Sequence, residues 1–421
     1  MKDKFTVAIL GVGSRGGNVY GRLLNKEIDK FDIVALCDSR AERLEVFGEE
    51  FGVSEENRFL SEEKFFEKKR ADVLVIATLD KDHTRQCLKA FKLGYDVLCE
   101  KPITDKDEEC EQLLAAQKRY GNKVLICHVL RYAPAYMTID KLIKDGEIGE
   151  LVAIEATERV RYWHQAHSYV RGNWRRSEET TPMILAKCCH DLDLLQYFAR
   201  SKSKTVSSVG ELRYFKRDNM PSGASERCLD CKYVDSCPYS AKDIYVNIWK
   251  NAGAREDVWP QNVVAPAPLT EEKLMNAIKE GPYGRCVFAC DNNVVDHQYT
   301  QIVFENGVKA SLVMIAFTGN HGRRMDFFGT MGNIVYDAET ESITLYKFGK
   351  EMRTVPIGEF DDGGFGHGGG DVGLVSDLYV TLKGEGEGRT SLEASIESHL
   401  MGIRAEESRL AGGICLNVHK N

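Results

Sequence analysis

Two residue groups have the types and spacing that redox chemistry on an alcohol needs. Lys101 stands between Glu100 and Pro102, directly after the apolar run Tyr95-Asp-Val-Leu-Cys. A proline pushes the residue before it into extended geometry, so the lysine side chain is left free at a strand end. An ammonium there can polarise a hydroxyl or carbonyl while hydride moves. His190 lies in Leu185-Ala-Lys-Cys-Cys-His-Asp-Leu-Asp-Leu-Leu195, where Leu185, Cys188, Cys189, Leu192 and Leu195 form the packed side of a helix expected over 183–198. With an ordinary pKa of about 6.5, an imidazole is the natural acceptor of a hydroxyl proton near neutrality. Lys187, three residues earlier on nearly the same face, has three open readings: it lowers the histidine pKa, binds a substrate oxygen, or is a solvated lysine.

The elements that must position these groups begin at Phe5-Thr-Val-Ala-Ile-Leu10, a buried strand. Gly11, Gly13 and Gly16 follow it, and then a helix is expected over 18–24. Gly11 permits the tight turn, Gly13 admits a pyrophosphate to the backbone, and Gly16 lets helix and strand pack closely. N–H groups at the helix start, from Ser14 onward, face the phosphates. Arg15 is placed beside the phosphates or the adenine. A second strand ends at Asp38, 22 residues beyond Gly16, where a ribose-binding carboxylate is expected. Asp38 favours NAD, and Arg40 two residues on keeps NADP open. Further strands end at Thr78, Glu100-Lys101 and His128, separated by helices of 10–15 residues. That alternation predicts a parallel doubly wound sheet with ligands at the carboxyl ends of its strands.

Beyond about residue 150 the texture changes to alternating strands, with a hairpin turn at Glu305-Asn-Gly307. The fold class is therefore α/β: an N-terminal Rossmann doubly wound parallel sheet with a C-terminal α+β domain built on a largely antiparallel open sheet. The division expected is 1–128 for the dinucleotide domain and 129–421 for the substrate and oligomerisation domain. An irregular, cysteine-bearing insertion runs over about 218–296, and a flexible glycine loop over 361–371.

Gly11-Val-Gly-Ser-Arg-Gly16, Glu100-Lys-Pro102 and Cys189-His-Asp-Leu-Asp193, in that order, resemble the glucose–fructose oxidoreductase / inositol dehydrogenase / MocA (Gfo/Idh/MocA) family. The resemblance covers nearly the whole chain apart from the insertion. It implies a nicotinamide cofactor, sugar or cyclitol substrates, Lys101 as the active-site lysine and His190 as the proton-transferring histidine. It also implies that His83 lines the cofactor groove, with a helix-start surface position as the alternative, and that Trp174-Arg175 touches the cofactor. One position departs: many members carry an aspartate four residues before the histidine, and here that residue is Ala186. Trp163, His164 and His167 are candidates for a sugar-binding wall, since aromatic faces suit the C–H faces of sugars. His367, in the glycine loop, is a candidate to close over substrate.

Cys228, Cys231 and Cys237 are closely spaced in a polar loop, with Cys286 or Cys290 available as a fourth ligand. Four thiolates would satisfy a structural zinc, and the same spacing suits an iron–sulfur cluster; free cysteines are the alternative.

Composition narrows the setting. The 421 residues make two domains the expectation, and a net charge of −8 argues against nucleic-acid or anionic-membrane surfaces. No run approaches the ~20 apolar residues that span a bilayer. The start Met1-Lys-Asp-Lys lacks a signal peptide's apolar segment, and most cysteines sit in apolar runs, so a reducing, cytoplasmic setting is expected. An open sheet with one bare face invites a homodimer or homotetramer. The activity expected is hydride transfer between NAD(P) and a ring carbon of a sugar, sugar derivative or cyclitol. The alternative is an NAD-dependent glycoside-cleaving enzyme working by transient oxidation and elimination.

Overall fold

The computed structural model describes residues 2–358 and 367–420. Strands β1 (Phe5–Leu10), β2 (Phe31–Cys37), β3 (Arg58–Phe59), β4 (Val73–Ile76), β5 (Asp96–Cys99) and β6 (Val124–Ile126) form a parallel sheet in the order β3-β2-β1-β4-β5-β6. These strands are apolar on both sides because helices cover both faces. Val7, Ile9, Val73, Val75 and Leu98 pack into one core with Leu23 and Phe47. Their neighbours Ala8, Leu10, Leu74, Ile76 and Val97 pack into the other with Phe91 and Tyr95. The strand order reverses between β1 and β4, which opens a crevice at the carboxyl ends of the sheet.

The second sheet contains β7 (Leu151–Arg161), β8 (Ser203–Glu211), β9 (His297–Phe304), β10 (Lys309–Thr318), β11 (Gly322–Gly329), β12 (Gly332–Asp337), β13 (Ser342–Lys347), β14 (Arg353–Val355) and β15 (Leu416–Asn417). They lie in the order β14-β13-β12-β11-β7-β10-β9-β8-β15, and within this sheet β7 with β10 is the one parallel pair among the described residues. Gly307, at φ +91°, makes the tight turn between β9 and β10. Helices Pro134–Lys144, Cys189–Ala199 and Leu392–Leu410 cover one face, where Ile139, Leu192, Phe198 and Ile396 meet Ile154 and Leu312. The other face leaves Val209, Tyr299, Phe328 and Tyr346 exposed.

Three elements differ from the sequence expectation. The helix expected over 183–198 is broken into Met183–Ala186 and Cys189–Ala199, with Lys187 and Cys188 between them. The helix after the glycine turn opens with wide π turns over Ser14–Gly21 and tightens to α over Arg22–Lys26. The insertion is not irregular throughout. It carries the helix Glu271–Glu280 and its own core, in which Tyr245, Trp249, Leu274 and Ile278 close on Ala166 and Val170. After β14 the chain returns to the first domain, where Leu374, Val375 and Leu378 of helix Gly370–Lys383 join the core beside β1. Most of the glycine loop expected over 361–371 lies outside the described residues.

Candidate active site

The glycine turn has the shape a dinucleotide requires. Gly11 sits at φ +88°, and a Cβ there would lie 2.6 Å from the Ala77 carbonyl oxygen. At Gly16 a Cβ would come within 1.9 Å of the Gly11 oxygen. Gly13 differs: a Cβ would meet only the tip of the Arg43 guanidinium, at 3.2 Å. The first two glycines are therefore demanded by the protein's own packing, whereas at Gly13 the near neighbour is the movable end of an arginine side chain. Ser14 is exposed at the helix start.

Asp38, at the end of β2, is buried. Its Oδ2 accepts the Val12 N–H at 2.9 Å and its Oδ1 the Arg40 N–H at 3.0 Å. A carboxylate has about four acceptor sites, so two remain for a ribose hydroxyl. The Arg40 side chain turns to Glu42, and Arg43 approaches Asp38 at 3.5 Å. Arg43 escaped the sequence reading because nothing in the order of residues brings position 43 back over Gly13. Arg15 does not lie free along the phosphates. Its Nε donates to Glu100 Oε1 at 2.6 Å and its Nη2 to Asp371 Oδ1 at 2.6 Å. Glu100 also accepts from Tyr20 at 2.9 Å. Burial opposes ionisation of Glu100, but Arg15 and Lys101 offset it and hold the carboxyl below its usual range.

At the end of β4 the Thr78 hydroxyl donates to Gln86 at 2.6 Å. His83 is buried; Nδ1 donates to the Pro102 carbonyl at 2.7 Å, with Nε2 3.2 Å from the Thr78 carbonyl. In place of the groove-lining position expected for it, His83 ties the strand ends that carry Thr78 and Lys101 to one another. Trp174 donates its indole N–H to Asp80 at 3.1 Å, and Thr181 donates to the same carboxylate at 2.8 Å. Asp80 thus docks the second domain against the first. Arg175 pairs bidentately with Asp291 at 2.9 and 3.2 Å, at the edge of the insertion.

Lys101 reaches across the domain boundary to the segment just before His190. Lys101 Nζ donates to the carbonyl oxygen of Ala186 at 3.0 Å. Ala186 ends its short helix, and carbonyls of a last turn lack partners within the helix. The break at Lys187 and Cys188 thus supplies a main-chain acceptor at Ala186. Burial works against the Lys101 cation, while Cys189, Glu100 and Asp80 raise its pKa on balance. His190 is buried and its Nδ1 has no hydrogen-bond partner. Burial first, then Lys101 and Arg323, push its pKa well below the ordinary value, so at neutral pH the imidazole is a bare acceptor. Lys187 is not bare: its ammonium lies 3.2 Å from Glu158, which also pairs with Arg323 at 3.1 Å. Arg323 in turn donates to Asp191 at 2.7 Å. This buried charge cluster anchors the broken helix to β7 and β11.

Trp163 and His164 pack against each other and against Trp259 from the insertion in one aromatic cluster. Trp259 lies 5.4 Å from Trp163 and 4.9 Å from His164 between ring centroids. His167 is not on the expected wall; it is buried, stacks on Tyr283 at 4.9 Å and pairs with the Tyr245 hydroxyl at 3.0 Å. His367 packs beside His190 at 5.9 Å, and its Nδ1 lies 2.9 Å from Asp371 Oδ2. His128, expected at a ligand-bearing strand end, is fully buried beside His190 at 6.0 Å.

The metal expectation is corrected. Among the described residues no group of three or more His, Cys, Asp or Glu side chains is arranged to hold an ion. Cys228 instead faces the Arg171 guanidinium at 3.4 Å, and Cys290 hydrogen-bonds the Cys286 carbonyl at 3.3 Å, while Cys231 and Cys237 remain free thiols. Proximity in sequence brought these cysteines into one loop without directing their thiols at one point.

The chain belongs to the Gfo/Idh/MocA oxidoreductase family. Residues 5–128 match the family's NAD-binding Rossmann fold and residues 140–402 its C-terminal alpha/beta domain. It is 22% identical to the YteT protein of Bacillus subtilis over 394 residues, covering 89% of this chain and 88% of that one. Inositol 2-dehydrogenase of Salmonella typhimurium is 24% identical over 200 residues, 47% of this chain and 55% of its own. A crystal structure of an oxidoreductase from Agrobacterium radiobacter in complex with NAD+, L-tartaric acid and magnesium superposes with a TM-score of 0.70 at 14% identity, over 99% of this chain and 98% of that one. The protein is an oxidoreductase with a nicotinamide-binding Rossmann domain. Among the described residues no helix is long and apolar enough to cross a membrane.

Proposed function

We propose that this chain oxidises a secondary hydroxyl on a polyhydroxylated ring, that of a sugar, sugar derivative or cyclitol. The observation that carries this reading is the hydrogen bond from Lys101 of the first domain to the Ala186 carbonyl of the second, four residues before the buried His190. A nicotinamide dinucleotide, when bound, supplies the hydride acceptor; Gly13, Ser14 and Asp38 would hold its pyrophosphate and ribose, and Asp38 favours NAD over NADP. His190 takes the hydroxyl proton, and Lys101 stabilises negative charge developing on the oxygen. Trp163, His164 and Trp259 offer aromatic faces to the ring's C–H face. The inositol and sugar dehydrogenases among the relatives support this substrate class.

The experiment is incubation with NAD and a panel of sugars and cyclitols. Reduced cofactor should accumulate with at least one substrate and disappear in Lys101→Ala and in His190→Ala. Solvent deuterium entering the sugar without net reduced cofactor would assign the elimination chemistry instead. The apolar face bearing Val209, Tyr299, Phe328 and Tyr346 is proposed to pair with a second copy of the chain, and Tyr299→Glu should then lower the mass seen by light scattering. The thirteen cysteines stand as free thiols, which suits work in a reducing cytoplasm.

A further inference from the structure

We propose that His367, oriented by Asp371, carries the proton taken up by His190 out to water. The proposal rests on the reading of His190 as the base. A base that cycles must discharge its proton, and His190 has two imidazole neighbours to receive it: His128 at 6.0 Å and His367 at 5.9 Å between ring centroids.

The inward route is closed. His128 is fully buried, neither of its ring nitrogens has a hydrogen-bond partner, and its Nε2 lies 3.8 Å from Asp193, a carboxylate already held by Arg131 at 2.7 Å. Burial first, then His399, Arg131 and Lys101, disfavour a cation there, and Glu100 offsets them only in part. Beyond it, 5.7 Å away, His399 has both nitrogens committed: Nδ1 donates to the Ser395 carbonyl at 2.7 Å and Nε2 accepts the Ile103 N–H at 2.9 Å. A proton sent inward would end on buried groups already committed to partners.

The outward route has each part a relay needs. The His367 side chain is 37% exposed, so water reaches it. Asp371 is fully buried and cannot swing away, because its Oδ1 is held by Arg15 at 2.6 Å. Burial opposes ionisation of Asp371, but Arg15 and His367 bring its pKa down to about 2, so it is a carboxylate at any working pH. Its Oδ2 accepts from His367 Nδ1 at 2.9 Å, which fixes the tautomer and leaves Nε2 as the acceptor. The separation from His190 suits a direct transfer after a small ring rotation, or one bridging water. The charged and titratable groups facing the pair are Lys101, Arg323 and His128 around His190, and Asp371 with its partner Arg15 around His367. The balance is that of proton transfers alone. The substrate O–H bond breaks as an N–H bond forms on His190; that bond breaks as one forms on His367; the imidazolium beside Asp371 then yields its proton to water.

His367→Asn and His367→Gln, in the full-length protein with NAD and a substrate identified as above, should lower kcat roughly 10–100-fold in weakly buffering solution with little change in KM. Added imidazole should restore several-fold of that loss, while the parent should not respond to it. Turnover that ignores the identity of residue 367, or a loss that imidazole does not repair, overturns the relay. His190→Asn separates the two readings: if it keeps parental turnover, the base assignment fails whatever His367 does. A second readout needs neither cofactor nor substrate. In histidine-labelled protein, the ring-nitrogen resonances missing from His367→Asn should report the Nδ1–H tautomer in the parent and lose that preference in Asp371→Asn, and an unchanged tautomer overturns the orienting role of Asp371.

Discussion

The Lys101 ammonium donates a 3.0 Å hydrogen bond to the carbonyl oxygen of Ala186, across the boundary between the two domains. That bond gives the lysine a neutral main-chain acceptor four residues before His190, on the near side of the helix break. The lysine is positioned by a neutral group, and burial first, then Lys101 and Arg323, depress the His190 pKa.

Lys101→Met is expected to lower kcat/KM by about 10²–10⁴-fold, the usual weight of a positioned proton-handling group. Unfolding stability should change little, because Glu100 keeps Arg15 and Tyr20 as partners. Steady-state kinetics beside urea denaturation checks both halves.

Ala186→Asp places a carboxylate beside His190. It favours the imidazolium and so raises the histidine pKa. Since the neutral imidazole is the active form, activity on the acid side should then be lost at a higher pH than in the parent. The acid limb of the kcat/KM profile reads this directly.

Gly11→Ala and Gly13→Ala should part company. The first strains a φ of +88° and drives a methyl against the Ala77 carbonyl, so it should cost about 1–3 kcal/mol of stability. The second meets only the flexible tip of Arg43 and should fold normally, yet lose NAD affinity as its methyl fills the phosphate cradle. Thermal melts with and without NAD distinguish the two.

Acid should destabilise the protein through its buried imidazoles. Burial lowers the pKa of His167 to about 3 and of His399 to about 4. The unfolded chain takes up these protons near pH 6.5, while the folded chain refuses them. Their contribution is therefore complete above about pH 6.5 and is lost as pH falls toward 4 and 3, each steepening the decline by up to ~1.4 kcal/mol per pH unit. His167→Phe keeps the stack on Tyr283, so its urea midpoint should depend less on pH between about 6 and 4.

Trp259→Ala removes the insertion's share of the aromatic cluster. KM for the sugar substrate should rise roughly tenfold, a loss of about 1.4 kcal/mol, with kcat within about twofold.

Much of this protein was legible in the order of its residues, because the signals concerned are local. The glycine turn, the strand endings at Asp38 and Lys101, and the helix around His190 each follow from sterics and periodicity within a dozen positions. So do the two sheets, parallel then largely antiparallel. Tertiary structure alone decided whatever depends on residues distant in sequence. It set Asp371 under Arg15, some 356 positions away, and His367 beside His190. It turned Lys187 to Glu158, and it brought Trp259 from the insertion onto Trp163. It also broke a helix that periodicity read as continuous, and left four cysteines of suggestive spacing without a common centre. Spacing fixes which residues share a loop or a face, whereas the direction of a side chain and its charge partner are chosen by packing against elements the local sequence does not contain.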